Sequence, residues 1–162
     1  DGYNRGSRVP SQDEPVRICW KNKAHIYDVR QQKYLGFTNI ITTQIRLNKA
    51  KFYAAMPYEV KGIKTSCRFN SSDWKLHYQA KISNSKAEDH VFRVEVYDPE
   101  QQLIAHYTGN HWGEKGKLKR EIPFAFNDKP GKWTIKIIDV ISGISEKRAF
   151  ILPKDKMRER GW

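Results

Sequence analysis

The sequence predicts an all-β chain, and three observations carry that reading. Apolar residues recur with period two, turn-forming residues interrupt them at short intervals, and no ten-residue amphipathic stretch lies between. The clearest case sets Trp74, Leu76, Tyr78, Ala80 and Ile82 against Lys75, His77, Gln79, Lys81 and Ser83. Successive side chains of a strand point to opposite faces, so this segment reads as a half-buried strand with one wet face. Five Trp, eight Tyr and seven Phe supply the large side chains that a core needs.

Taken in order, residues 1–13 are polar and rich in Gly and Ser, and are expected to be a mobile N-terminal segment. A small β-rich unit is expected over 14–57. Val16, Ile18 and Trp20 alternate, and residues 24–29 form a second short strand. Tyr34, Leu35 and Gly36 follow a polar turn, then come Ile41, Thr43, Ile45 and Leu47, and finally residues 52–56. Four or five short strands cannot seal a core alone, so this piece needs a partner. The boundary falls at Met56, Pro57 and Tyr58.

Residues 60–153 are expected to form an antiparallel sandwich of about seven strands. Phe92, Val94 and Val96 alternate with Arg93 and Glu95; Ile122, Phe124 and Phe126 form one strand, and Trp133, Ile135 and Ile137 another, with a last strand over 147–152. Turns are marked by Asp98-Pro99, by Gly113 and Gly116, by Asn127-Asp128-Lys129-Pro130-Gly131 and by Ser142-Gly143, because Pro lacks a ladder donor and Gly accepts positive φ. Gly113 to Gly116 reads as a hairpin turn. Residues 154–162 are a basic tail.

The net charge of +12 raises a nucleic-acid reading, but the excess is dispersed. Only Lys115, Lys117, Lys119 and Arg120 approach a run, and on a strand they alternate faces. No recognition helix or RNA-binding aromatic motif is visible, so nucleic acid ranks behind attraction to anionic polymers in general. No apolar run approaches a membrane span, and no membrane insertion is expected.

No catalytic residue is assigned. Asp98, Glu100, Asp128 and Asp139 sit in turns or at strand ends rather than as a facing pair of carboxylates. His25, His77, His90, His106 and His111 lack metal-ligand spacing, so neither metal nor cofactor is expected. Cys19 and Cys67 fit either one disulfide or two free thiols. The candidate contact residues are Tyr107, Asn110, His111 and Trp112. Aromatic rings and amides clustered in one segment suit stacking on a sugar ring, or anchoring a protein interface.

The segments His90 to Pro99, His106 to Asn110 and Ile122 to Gly143, with Pro130-Gly131-Lys132-Trp133-Thr134 inside the last, resemble a recurring bacterial module. It is the Ig-like, macroglobulin-type sandwich near the C-terminus of large surface and carbohydrate-processing proteins. Upstream, Ile26-Tyr27-Asp28-Val29 through Tyr34-Leu35-Gly36 is similar to a small β-domain that follows the catalytic barrel of some β-galactosidase-like glycosidases.

The resemblance implies an Ig-like fold and a non-catalytic accessory or assembly module. Its parent would be a larger protein, a glycoside hydrolase among the candidates, placed outside the cell, at its surface or in the periplasm. The first residue, Asp1, agrees with a piece of something longer. Expected partners are a catalytic or neighbouring domain of the same protein, or a second copy. The alternative is binding of an acidic polysaccharide through the 106–112 loop.

Overall fold

The computed structural model describes residues 14–46, 49–84 and 86–154; the expected mobile segment and most of the basic tail lie outside these. Two compact units divide between Pro57 and Tyr58.

The first unit is a three-stranded antiparallel sheet. It comprises β1 (Glu14–Asp28), β2 (Lys33–Ile45) and β3 (Tyr53–Met56), in the order β2-β1-β3. The four or five short strands expected here are two long ones and one short one. Residues 16–20 and 24–29 belong almost entirely to β1, whose pairing with β2 slips between Cys19 and Ala24. Sequence alternation breaks at that slip, so one strand reads as two. A second irregularity lets Ile26 face Gly36 while Tyr27 faces Tyr34, and Gly36 takes φ +111° to accommodate the extra Leu35. Because β3 pairs only with His25–Asp28, the remainder of β1 and β2 is a two-stranded ribbon. Burial follows that boundary: among the described residues of this unit, Ile26, Tyr27, Asp28 and Met56 are the buried ones. Asp28 closes the turn by accepting the Gln31 backbone N–H at 2.9 Å.

The second unit is an antiparallel β-sandwich of seven strands: β4 (Ile63–Asn70), β5 (Lys75–Ile82), β6 (His90–Tyr97), β7 (Gly109–Gly113), β8 (Lys117–Pro123), β9 (Gly131–Asp139) and β10 (Ser145–Leu152). They form two sheets, β4-β5-β8 and β10-β9-β6-β7. Leu76, Tyr78, Ala80, Leu118 and Ile122 of the smaller sheet face Phe92, Val94, Val96, Trp133, Ile135 and Ile137 of the larger, and all eleven are buried. At one end Phe124 meets Trp133 edge-on (centroids 5.0 Å apart) and Phe150 likewise (5.6 Å), the arrangement that aromatic quadrupoles favour.

Two local expectations are corrected. Trp74 does not begin a strand face: it sits in a turn at φ 55°, and its ring stacks on Phe126. Phe124 and Phe126 follow β8 rather than extending it, because Pro123 ends the ladder. Gly113 to Gly116 forms the expected tight turn, with Glu114 bridging Lys117 across Lys115 (φ 49°) and Gly116, and the strands it joins, β7 and β8, belong to different sheets. There Gly116 takes φ +67°, and Gly113 lies so close to Phe92 that a Cβ would stand 2.4 Å from the ring.

The sheets also meet at an edge. Glu146 on β10 accepts hydrogen bonds from the Thr65 backbone N–H (3.1 Å) and hydroxyl (2.8 Å) on β4, and Arg148 Nε donates to the Thr65 carbonyl at 3.0 Å. These bonds occupy polar groups that an open edge would leave to solvent.

Candidate functional site

The four candidate contact residues do not converge, and the loop expected over 106–112 is a 3-10 turn followed by β7, which pairs with β6. Tyr107 ends a 3-10 turn, Ala105–Tyr107, and turns into the aromatic cluster. Its ring stacks on Phe124 with centroids 4.5 Å apart and meets Trp133 edge-on at 6.3 Å. Its hydroxyl donates to Asp128 Oδ2 at 2.5 Å and accepts the Ala125 N–H at 2.8 Å. Burial and the Asp128 carboxylate together push the phenol up to about 12. Both the ring and the hydroxyl are therefore engaged within the unit. His111 also points inward from β7, edge-on to Tyr78 at 6.4 Å, and burial followed by the Arg120 charge lowers its pKa.

Asn110 and Trp112 stand two residues apart and so share the outward face of β7. Trp112 is 59% exposed, which leaves one ring available for stacking. Asn110 pairs with Arg93 and Trp112 with Val91 across the ladder to β6. Beyond Arg93 lies a polar group on the same face. Arg93 Nε donates to Glu95 at 2.9 Å, Tyr97 OH donates to it at 2.9 Å, and Lys136 approaches it at 3.6 Å. Partial burial alone would raise the Glu95 carboxyl, but these three partners hold it below the ordinary carboxylate value. An ionised, fully partnered Glu95 fixes Arg93 in place across from Asn110 and holds Tyr97 farther along β6. The arrangement offers one stacking ring, one amide and a guanidinium, which suits recognition of a polar ring.

The turn carboxylates are engaged locally. Asp98 Oδ1 accepts the Gln102 N–H at 2.8 Å, and Asp128 Oδ2 accepts the Ala125 N–H at 2.9 Å. Cys19 and Cys67 are both free thiols. Among the described residues no group of His, Cys, Asp and Glu side chains is arranged to hold a metal ion.

Sequence reasoning missed one constellation. Asp139 Oδ2 accepts the Ser142 N–H (2.9 Å) and hydroxyl (2.5 Å), and Asp139 Oδ1 lies 2.6 Å from His90 Nδ1. His90 Nε2 in turn lies 2.9 Å from Tyr58 OH, which accepts the Glu88 N–H at 2.8 Å. With Nδ1 carrying its hydrogen toward the carboxylate and the phenol donating to Nε2, every hydrogen finds an acceptor. The residue types are those of a serine hydrolase, but the order is different: Ser142 bonds the carboxylate, and Tyr58 takes the nitrogen that would serve a nucleophile. The chain is a buried clasp joining the first residue of the unit to β6 and the β9–β10 turn. Its one legible trace was the Asp139-x-x-Ser142-Gly143 turn.

Neither a known family nor any curated protein matches this chain.

Proposed function

We propose that this chain is a non-catalytic accessory module of a larger, glycan-processing bacterial protein, acting outside the cytoplasm as a docking or assembly element. The observation that carries the reading is the unfinished surface of the first unit. Phe37 (57% exposed), Phe52 (58%) and Ile45 (52%) lie open, with Tyr34 and Ile40 also exposed. Against these, Ile26, Tyr27 and Met56 are the apolar side chains that this unit buries among the described residues. A surface with more large apolar groups outside than inside marks an interaction site. The occupant is a neighbouring domain of the same protein or a second copy. The division of the second unit into β4-β5-β8 and β10-β9-β6-β7 supports an Ig-like assignment for it.

The test is the oligomeric state of the intact chain by sedimentation, with hydrogen exchange of β1 and β2, alone and with the upstream domain supplied. Protection of Phe37 and Ile45 amides on self-association or on addition of that domain supports docking. Unchanged exchange under both conditions refutes it. A purified chain that cleaves a glycoside, and stops when one Asp or Glu is replaced, would end the non-catalytic reading.

The exposure of Trp112 beside Asn110 favours a second reading, glycan binding on the outer face of the larger sheet. A glycan array that lights up with the native chain and goes dark with Trp112→Ala would support it, and a blank array would remove it.

A further inference from the structure

The basic residues that look dispersed along the sequence are collected by the fold on the outer face of the β4-β5-β8 sheet. Lys64 pairs directly with Lys81, and Lys81 with Lys117, so three lysines form one row across all three strands. Neighbouring strands lie about 4.8 Å apart, and like charges directly opposite each other destabilise a sheet. All three are exposed, and none has an ion-pair partner among the described residues. The next row is Ser66, Gln79 and Lys119, in which Gln79 Nε2 donates to Ser66 Oγ at 2.9 Å. Acidic groups sit only at the far end of the face. There Glu121 is already bound to Lys75, and Asp73 lies 3.0 Å from His77. Two adjoining depressions, ≈ 710 and ≈ 490 Å³, run over these rows, and every lining residue comes from β4, β5 or β8. None comes from the facing sheet, so the groove lies on the outside.

We infer that this groove binds an acidic polysaccharide, its carboxylates or sulfates held by the Lys64–Lys81–Lys117 row and its hydroxyls by Ser66 and Gln79. Three uncompensated charges abreast are a standing cost to the sheet that an extended polyanion relieves. The uncharged donors and acceptors in the next row suit sugar hydroxyls. A nucleic-acid strand fits less well: the face carries no Phe, Tyr or Trp on which bases stack. The row is also built of Lys point charges rather than of the Arg forks that grip phosphate in pairs. This surface shares no residue with the Trp112 face or with the exposed apolar residues of the first unit, so the three readings stand or fall independently.

The experiment titrates the full chain with polygalacturonate, with chondroitin sulfate, with neutral dextran and with a single-stranded oligonucleotide, at low and at raised salt. Two triple variants accompany it: Lys64→Gln/Lys81→Gln/Lys117→Gln, and a control that removes equal charge from exposed sites of the same unit, Lys115→Gln/Lys132→Gln/Lys147→Gln. The expected result is salt-sensitive binding of both acidic polysaccharides and none of dextran. The row variant should lose roughly tenfold or more in affinity, and the control about twofold or less. The row variant should also melt no lower than the native chain, since it relieves like-charge repulsion. Equal losses in the two variants, no binding of either acidic polysaccharide at low salt, or tighter binding of the oligonucleotide would each overturn the assignment.

Discussion

Tyr107 and Tyr78 both carry a phenol into the same sandwich and meet opposite hydrogen-bonding fates. The Tyr107 hydroxyl holds Asp128 and the Ala125 N–H together. Tyr107→Phe should therefore cost about 1–3 kcal/mol, the range for a bond to a charged acceptor, as read from urea unfolding. Tyr78 is 2% exposed, and its hydroxyl has no hydrogen-bond partner among the described residues. Removing an unpaired buried hydroxyl removes a desolvation penalty, so Tyr78→Phe should leave stability unchanged or raise it by about 1 kcal/mol. A loss of stability in Tyr78→Phe comparable to that in Tyr107→Phe would show that the hydroxyl is satisfied in solution. At the clasp, Asp139→Ala strands His90 and both Ser142 donors. Each buried donor left without its acceptor costs about 1–3 kcal/mol, so the combined loss should exceed that of Tyr107→Phe. The same urea titration checks it, and a loss below that of Tyr107→Phe would demote the clasp to a minor contact.

The connection from β7 to β8 carries an element-scale prediction. Gly116 combines φ +67° with a Cβ position 2.6 Å from the Ala87 methyl. Gly116→Ala should therefore lose about 1–3 kcal/mol through backbone strain, seen as a lower thermal midpoint. Elements such as β5, β6 and β9 were legible because each has one buried and one wet face, so alternation survives in the residue types. That pattern locates β5, β6, β8, β9 and β10 but neither β4 nor β7. β1 was not legible as one strand, because its ribbon portion has no buried face to impose alternation and its register slips after Cys19. Trp74 misled for a different reason: a period-two position beside a strand can belong to a turn that stacks its ring elsewhere. The candidate site was only half visible. Asn110 and Trp112 share a face because they are two apart, whereas Tyr107 enters the core through a 3-10 turn that no spacing announces. The lysine row was invisible for a related reason, since Lys64, Lys81 and Lys117 meet only once strand register is fixed.

At the scale of the whole molecule, alkaline pH is the sensitive direction. Tyr78, through burial, and Tyr107, through burial and Asp128, are both pushed up to about 12 from 10.0. The unfolded chain gives up these protons near pH 10 while the folded chain retains them. Their contribution to stability is therefore complete below pH 10 and is lost as pH rises toward 12. Tyrosinate absorbance followed beside circular dichroism should show the last phenols ionising together with unfolding; full ionisation before any loss of sheet signal would contradict this. The lengths and pairings of the strands also set a timetable. β1 and β2 meet across a short turn and can zip within about 1–10 microseconds, the hairpin timescale. The second unit must bring Ala80 to Leu118 and Val96 to Ile135 before its core closes, and non-local pairing of this kind takes milliseconds to seconds. A newly made chain can thus pair β1 with β2, bringing Phe37 and Ile45 onto one ribbon, before the sandwich core has closed. Whatever covers that ribbon has first access to it during synthesis, and late arrival leaves the same edge open to misassembly with its own kind.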